Sequence, residues 1–82
     1  MSEADEVVEA ITLRSLILHG FSVGANVVNG MPWSFNYHGI PVSHENDNLY
    51  LISPPDRPTL RLGRNGVLVT MLSGKMLVME AP

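Results

Sequence analysis

Two histidines and two carboxylates crowd into ten residues: His38, His44, Glu45 and Asp47, within HGIPVSHEND. All four are side-chain types that hold zinc and other transition metals. The spacing H-x5-H-E-x-D nevertheless answers to no metal motif with a physical basis. Successive residues of a strand point to opposite faces, so His44 and Glu45 cannot share one ion unless a bulge intervenes. The expectation is no metal and no cofactor. His38 reads as a turn residue and His44 as a partly buried ring beside Trp33.

Covalent chemistry has less support still. Ser43-His44-Glu45 gathers the residue types of a hydrolytic triad, but neighbours in a strand diverge where a triad must converge. The chain has no cysteine, and none of its serines sits in a nucleophile elbow. Gly63 and Gly66 flank a hairpin turn rather than opening a helix, so they make no phosphate cradle. Glu45-Asn46-Asp47-Asn48 offers oxygens of the kind calcium takes, without the EF-hand pattern; ordinary turn propensity accounts for it. No enzyme is expected.

Arg57, Arg61, Arg64 and Lys75 form a basic stretch with no acid between them. A nucleic-acid-contacting regulator using residues 57–75 is therefore the alternative reading. The formal net charge of -3 opposes it, because such domains are usually strongly basic. Single-strand binders also interleave their charges with exposed aromatics, and here the aromatics fall in a different hairpin. Binding to DNA or RNA is expected to be unmeasurable near physiological salt. The acids Glu3, Asp5, Glu6 and Glu9 make a simpler counterpart for the basic stretch.

The elements that must position these residues fit one domain, 1–82. At 82 residues with no cysteine, neither a large core nor disulfides can supply ample stability. Charged residues are only 16% of the chain against 45% hydrophobic, which excludes intrinsic disorder. It also leaves much apolar surface to cover. No apolar run approaches the ~20 residues that span a bilayer. The acidic opening MSEADEVVEA is unlike a secretory signal. A cytoplasmic protein is expected.

Residues 3–19 read as a helix, with Ser2 and Asp5 as a capping pair and Gly20 as a C-terminal cap. A strand through TLRSLILHGF is the competing reading. Residues 20–32, with three glycines and a proline, read as a linker. A β-meander over 33–80 follows. Asn65-Gly66 is the strongest hairpin signal, with Ser73-Gly74 a second two-residue turn. These turns predict one face of Leu60, Leu62, Val67, Val69, Met71, Met76 and Val78, which is core. The opposite face carries Arg61, Thr70 and Lys75, yet also Leu68, Leu72, Leu77 and Met79. An antiparallel sheet usually leaves one face to water, and this one is too apolar for that. A turn at His38-Gly39 predicts that Trp33, Phe35 and Tyr37 point inward with Ile40, Val42, His44, Leu49 and Leu51. The predicted fold is α+β, an N-terminal helix packed on a twisted antiparallel sheet or small partly open barrel of about five or six strands.

Residues 27–52, VVNGMPWSFNYHGIPVSHENDNLYLI, resemble short proteins encoded by bacteriophages and prophages. The likeness rests on W-x-F-x-Y-x-G-x-P-V-x-H-E-N-D. It implies a context rather than a residue role, since such proteins are often non-enzymatic modifiers of host machinery, defence systems included. The expected function is accordingly a non-enzymatic protein-binding module, a host-directed inhibitor or modifier working in the host cytoplasm. Its partner-binding residues are expected to be Leu68, Leu72, Leu77, Met79, Arg61 and Lys75. The partner is a protein, with a second copy of the chain as one form of it. Met79, a repackable thioether on the doubtful face, is the leading contact.

Overall fold

The computed structural model describes residues 5–46 and 48–80. The elements run β1 (Val7–Thr12), α1 (Leu13–Ser22), β2 (Asn26–Val28), β3 (Met31–Tyr37), β4 (Ile40–Asn46), β5 (Leu49–Ile52), β6 (Leu60–Gly63), β7 (Gly66–Met71) and β8 (Met76–Glu80). They make two sheets, β1-β7-β8 and β2-β3-β4-β5-β6, antiparallel throughout. The class is mixed α+β and rich in sheet. More strands form than the meander predicts, because β1 and β2 arise where helix and linker are expected. Among the described residues no helix is long and apolar enough to cross a membrane.

The first correction concerns the helix. Its predicted N-terminal half is strand β1, whose VVEAIT is rich in β-branched residues and pairs along β7. Thr12 ends the strand and caps the helix, its Oγ1 accepting the Ser15 amide at 3.2 Å. A threonine serves both duties, being β-prone and an N-cap former. Ser2 lies outside the described residues. Asp5 instead reaches the β7–β8 turn, where it accepts from the Ser73 amide at 3.1 Å and from the Ser73 hydroxyl. The hydroxyl bond to Ser73 comes first in holding the Asp5 carboxyl below the usual range. Gly20 sits inside the helix rather than capping it, and Val23 occupies the cap.

The predicted linker holds a hairpin. Val28 faces Met31, and Asn29 and Gly30 both take positive φ, 52° and 78°, the mark of a two-residue type I′ turn. His38-Gly39 turns the same way, at 49° and 83°, joining Tyr37 to Ile40 as the sequence predicts. Asn65-Gly66 does not. Neither residue has positive φ, and β6 and β7 belong to different sheets. The chain turns a corner there. A Cβ on Gly66 would meet Leu62 Cδ1 at 3.0 Å and Val78 Cγ1 at 3.2 Å, so this glycine serves the close approach of the two sheets.

The core lies between the sheets. Leu13 and Leu16 from α1 join Phe35, Tyr37, Val42, Tyr50, Ile52, Leu62 and Leu68 in one cluster. Two alternations in the five-stranded sheet depart from expectation, each at a bulge. Asn26 faces Ser34 while Val27 faces Pro32, so Trp33 is the extra residue. Its indole is 46% exposed while Phe35 and Tyr37 stay buried. Between β4 and β5, His44 faces Tyr50 and Asn46 faces Leu49, leaving Glu45 extra. That slip turns Tyr50 and Ile52 inward in place of Leu49 and Leu51. An extra residue reverses every side chain beyond it.

Candidate functional site

The titratable residues separate into two places. His44 stacks on Tyr50, ring centroids 5.0 Å apart. His38, in the preceding turn, contacts Tyr37 at 4.5 Å and His19 at 5.7 Å. Roughly six residues of extended chain, about 20 Å, separate the two histidines along β4. Asp47 lies outside the described residues. His19, which the sequence does not single out, meets Tyr37 edge-on at 5.0 Å because the helix lies over β3. Tyr37 donates its hydroxyl hydrogen bond to Glu9, joining the two sheets. A cleft of about 410 Å³ opens beside this group, lined by Glu9, Tyr37, His38, Thr70 and Met76 among others.

Burial first, and then the Glu9 carboxylate, push the Tyr37 phenol well above an ordinary tyrosine. A group whose folded pKa exceeds its unfolded one contributes stability that is complete below the unfolded value. That stability drains away as pH rises past it. The parent should therefore weaken progressively above about pH 10, the ordinary tyrosine value, and Tyr37→Phe should weaken less steeply over the same window. Urea midpoints at about pH 8 and pH 11 measure this. Equal alkaline losses in the two proteins would refute it.

The basic stretch is divided, Arg57 and Lys75 lining one cleft while Arg61 and Arg64 stand apart. Arg61 lies on the five-stranded sheet, 3.2 Å from Glu45. Arg57 donates to the Gly74 carbonyl. Arg64 is exposed in the corner between β6 and β7, and Lys75 in the turn before β8. The predicted grouping of Arg61 with Lys75 on one face is thus corrected, because β6 and β8 belong to different sheets.

The predicted partner-binding apolar residues are also re-sorted, by the corner at Asn65-Gly66 and by the turn that follows β7. Met71 donates its amide to Lys75 O at 2.8 Å, Gly74 donates to Met71 O at 2.8 Å, and Gly74 has φ 93°. This is a type I turn closed by a glycine bulge, one residue longer than the two-residue Ser73-Gly74 turn. Val69 consequently faces Leu77, and Leu68 faces Val78. Leu68 points into the core and is fully buried. Leu72 is exposed in the turn, away from either sheet face.

What remains is an apolar outer face on the three-stranded sheet. Directly opposed residues of an antiparallel pair share a face. One row is Thr12, Val67 and Met79; the next is Ala10, Val69 and Leu77. None of the six is charged, and none belongs to the core cluster. Met79 is 56% exposed, whereas Val69, at the centre, is 5% exposed. Val67 and Val69 are gained relative to the sequence reading, while Leu77 and Met79 remain. The parity of the sheet could have revealed them only with the corner at Asn65-Gly66 and the bulged turn both known.

No family model, curated protein or solved structure matches this chain.

Proposed function

We propose that this chain is a non-enzymatic protein-binding module whose contact surface is the outer face of the β1-β7-β8 sheet. The observation that carries the reading is the absence of charge from both rows across that face, with Met79 standing exposed at its border. Apolar patches of this kind mark protein contacts on soluble domains. The methionine adds adaptability. With the resemblance of residues 27–52 to small phage-encoded proteins, the expected partner is a host protein, inhibited or modified by occupancy in the cytoplasm.

The test is a photo-crosslinking amino acid placed at Met79, with a control at Ser34 on the five-stranded sheet. Irradiation in bacterial cells should give a defined adduct with another protein from the Met79 position and none from Ser34. Adducts only at Ser34, or at neither position, would overturn the reading. A product made of two copies of this chain and nothing else would leave it without a host target.

A further inference from the structure

We propose that β8 pairs edge to edge with β8 of a second copy of this chain, antiparallel and centred on Val78. The inference rests on the reading of this sheet as a protein-contact surface, and it names a first occupant. β8 ends the three-stranded sheet. Its ladder with β7 starts from the Met71 amide on Lys75 O. Hydrogen-bonding direction alternates along a strand, so Leu77 and Met79 point their backbone groups at β7. Met76, Val78 and Glu80 point theirs at the open edge.

Edges of this kind are usually blunted by a lysine, a proline or a bulge within the strand. The opposite edge, β1, has a bulge at Val8, since Val7 faces Met71 while Glu9 faces Thr70. The strand MLVME has none of these devices.

Symmetry then selects the register. Two identical antiparallel edge strands in one sheet are related by a two-fold axis perpendicular to it. That axis keeps each copy's outer face on the same side, so paired residues must have the same parity. The register that uses every open backbone group sets Val78 against Val78, and Met76 against Glu80 in both directions. On the outer side Leu77 meets Met79 of the second copy in the close, non-hydrogen-bonded row. The two apolar faces become one face of a six-stranded sheet, β1-β7-β8-β8-β7-β1.

Charge complementarity favours the same arrangement. Met76 lines a cleft with Arg57 and Lys75. Glu80 shares the inner side of the sheet with Met76, four pairs along the ladder. Setting Glu80 of one copy opposite Met76 of the other brings its carboxylate to that basic cleft, and the two-fold repeats the contact. A parallel arrangement would instead bring like charges together.

Analytical ultracentrifugation of the whole chain over a micromolar concentration series tests this. The expected result is a reversible monomer–dimer equilibrium. Val78→Pro removes an amide aimed at the open edge, a position where proline is tolerated, together with methyls packed against the core. It should abolish the dimer while circular dichroism keeps the parent spectrum. Glu80→Lys should weaken the dimer about tenfold, two reciprocal ion pairs being lost together. Lys75→Glu combined with Glu80→Lys should recover most of that loss. A chain monomeric throughout the series overturns the proposal. So does a dimer indifferent to Glu80→Lys, which would place the contact elsewhere. The two readings fail separately: a monomer that still cross-links to another protein from Met79 refutes the dimer alone.

Discussion

Tyr50→Ala is expected to cost about 3–5 kcal/mol, the range for truncating a large buried aromatic. The ring is fully buried, stacked on His44 and tilted against Phe35 at 6.2 Å. Its hydroxyl donates to the Pro32 carbonyl at 2.7 Å, tying β5 to β3 beneath the helix. Removal leaves a cavity and an unmatched carbonyl together. For a domain this small, with a whole stability of about 4–12 kcal/mol by the per-residue rule, the variant should be largely unfolded at moderate temperature. Tyr50→Phe should lose about 1–3 kcal/mol, the cost of orphaning a buried acceptor. Trp33→Ala should lose only about 1 kcal/mol or less, because the indole stands at the surface. Urea unfolding of the three variants checks the order. If Trp33→Ala proved as damaging as Tyr50→Ala, the bulge that turns the indole outward would be wrong.

Gly20→Ala should destabilise, against the usual direction for a helix. Alanine gains about 1 kcal/mol over glycine from propensity alone. Here the new Cβ would lie 2.7 Å from Phe35 Cε1, 2.7 Å from Pro32 Cβ and 2.9 Å from Pro32 Cγ. Neither neighbour is a flexible chain end, so helix and sheet must separate. Overpacking of this kind costs about 1–3 kcal/mol, and contact at three atoms places this site at the upper end. The net expectation is a loss of about 1–2 kcal/mol, with Gly20→Val beyond it. Leu18→Ala removes a larger group two residues earlier, yet it should change stability by about 0.5 kcal/mol or less, since Leu18 is exposed. Thermal melts decide. A Gly20→Ala protein as stable as the parent would mean that α1 does not lie this close to β3.

The face assignments show why a strand pattern is legible only in part. Phe35, Tyr37, Ile40 and Val42 alternate as predicted, because the two-residue turn at His38-Gly39 imposes the register between them. Beyond each bulge the alternation inverts. Trp33 turns outward and Tyr50 and Ile52 replace Leu49 and Leu51, while past the corner at Asn65-Gly66 Leu68 exchanges sides with Val67 and Val69. A one-residue insertion costs little locally, so no composition signal announces it. The core decides it, by what each face can bury. The helix boundary was obscured differently. Val7, Val8 and Ile11 suit an amphipathic helix face as well as a strand, and only β7 alongside chooses between them.

Class and turn chemistry were within reach of the sequence alone. An α+β chain without cysteine, poor in charge and without a motif for covalent chemistry could be read from composition and spacing. So could the reversal at His38-Gly39, because positive φ is demanded by a local steric rule. Asn29-Gly30 and Asn65-Gly66 mark the limit of that reasoning. The dipeptide is identical, yet the first closes a type I′ hairpin and the second a corner between sheets. Positive φ is available to Asn-Gly but not compulsory. At Gly66 the space left by the missing Cβ, filled by Leu62 and Val78, outweighs the turn preference. Tertiary packing therefore decided which strands share a sheet. With that it decided that Val67, Val69, Leu77 and Met79 face outward together, since the outer face is whatever the core leaves over.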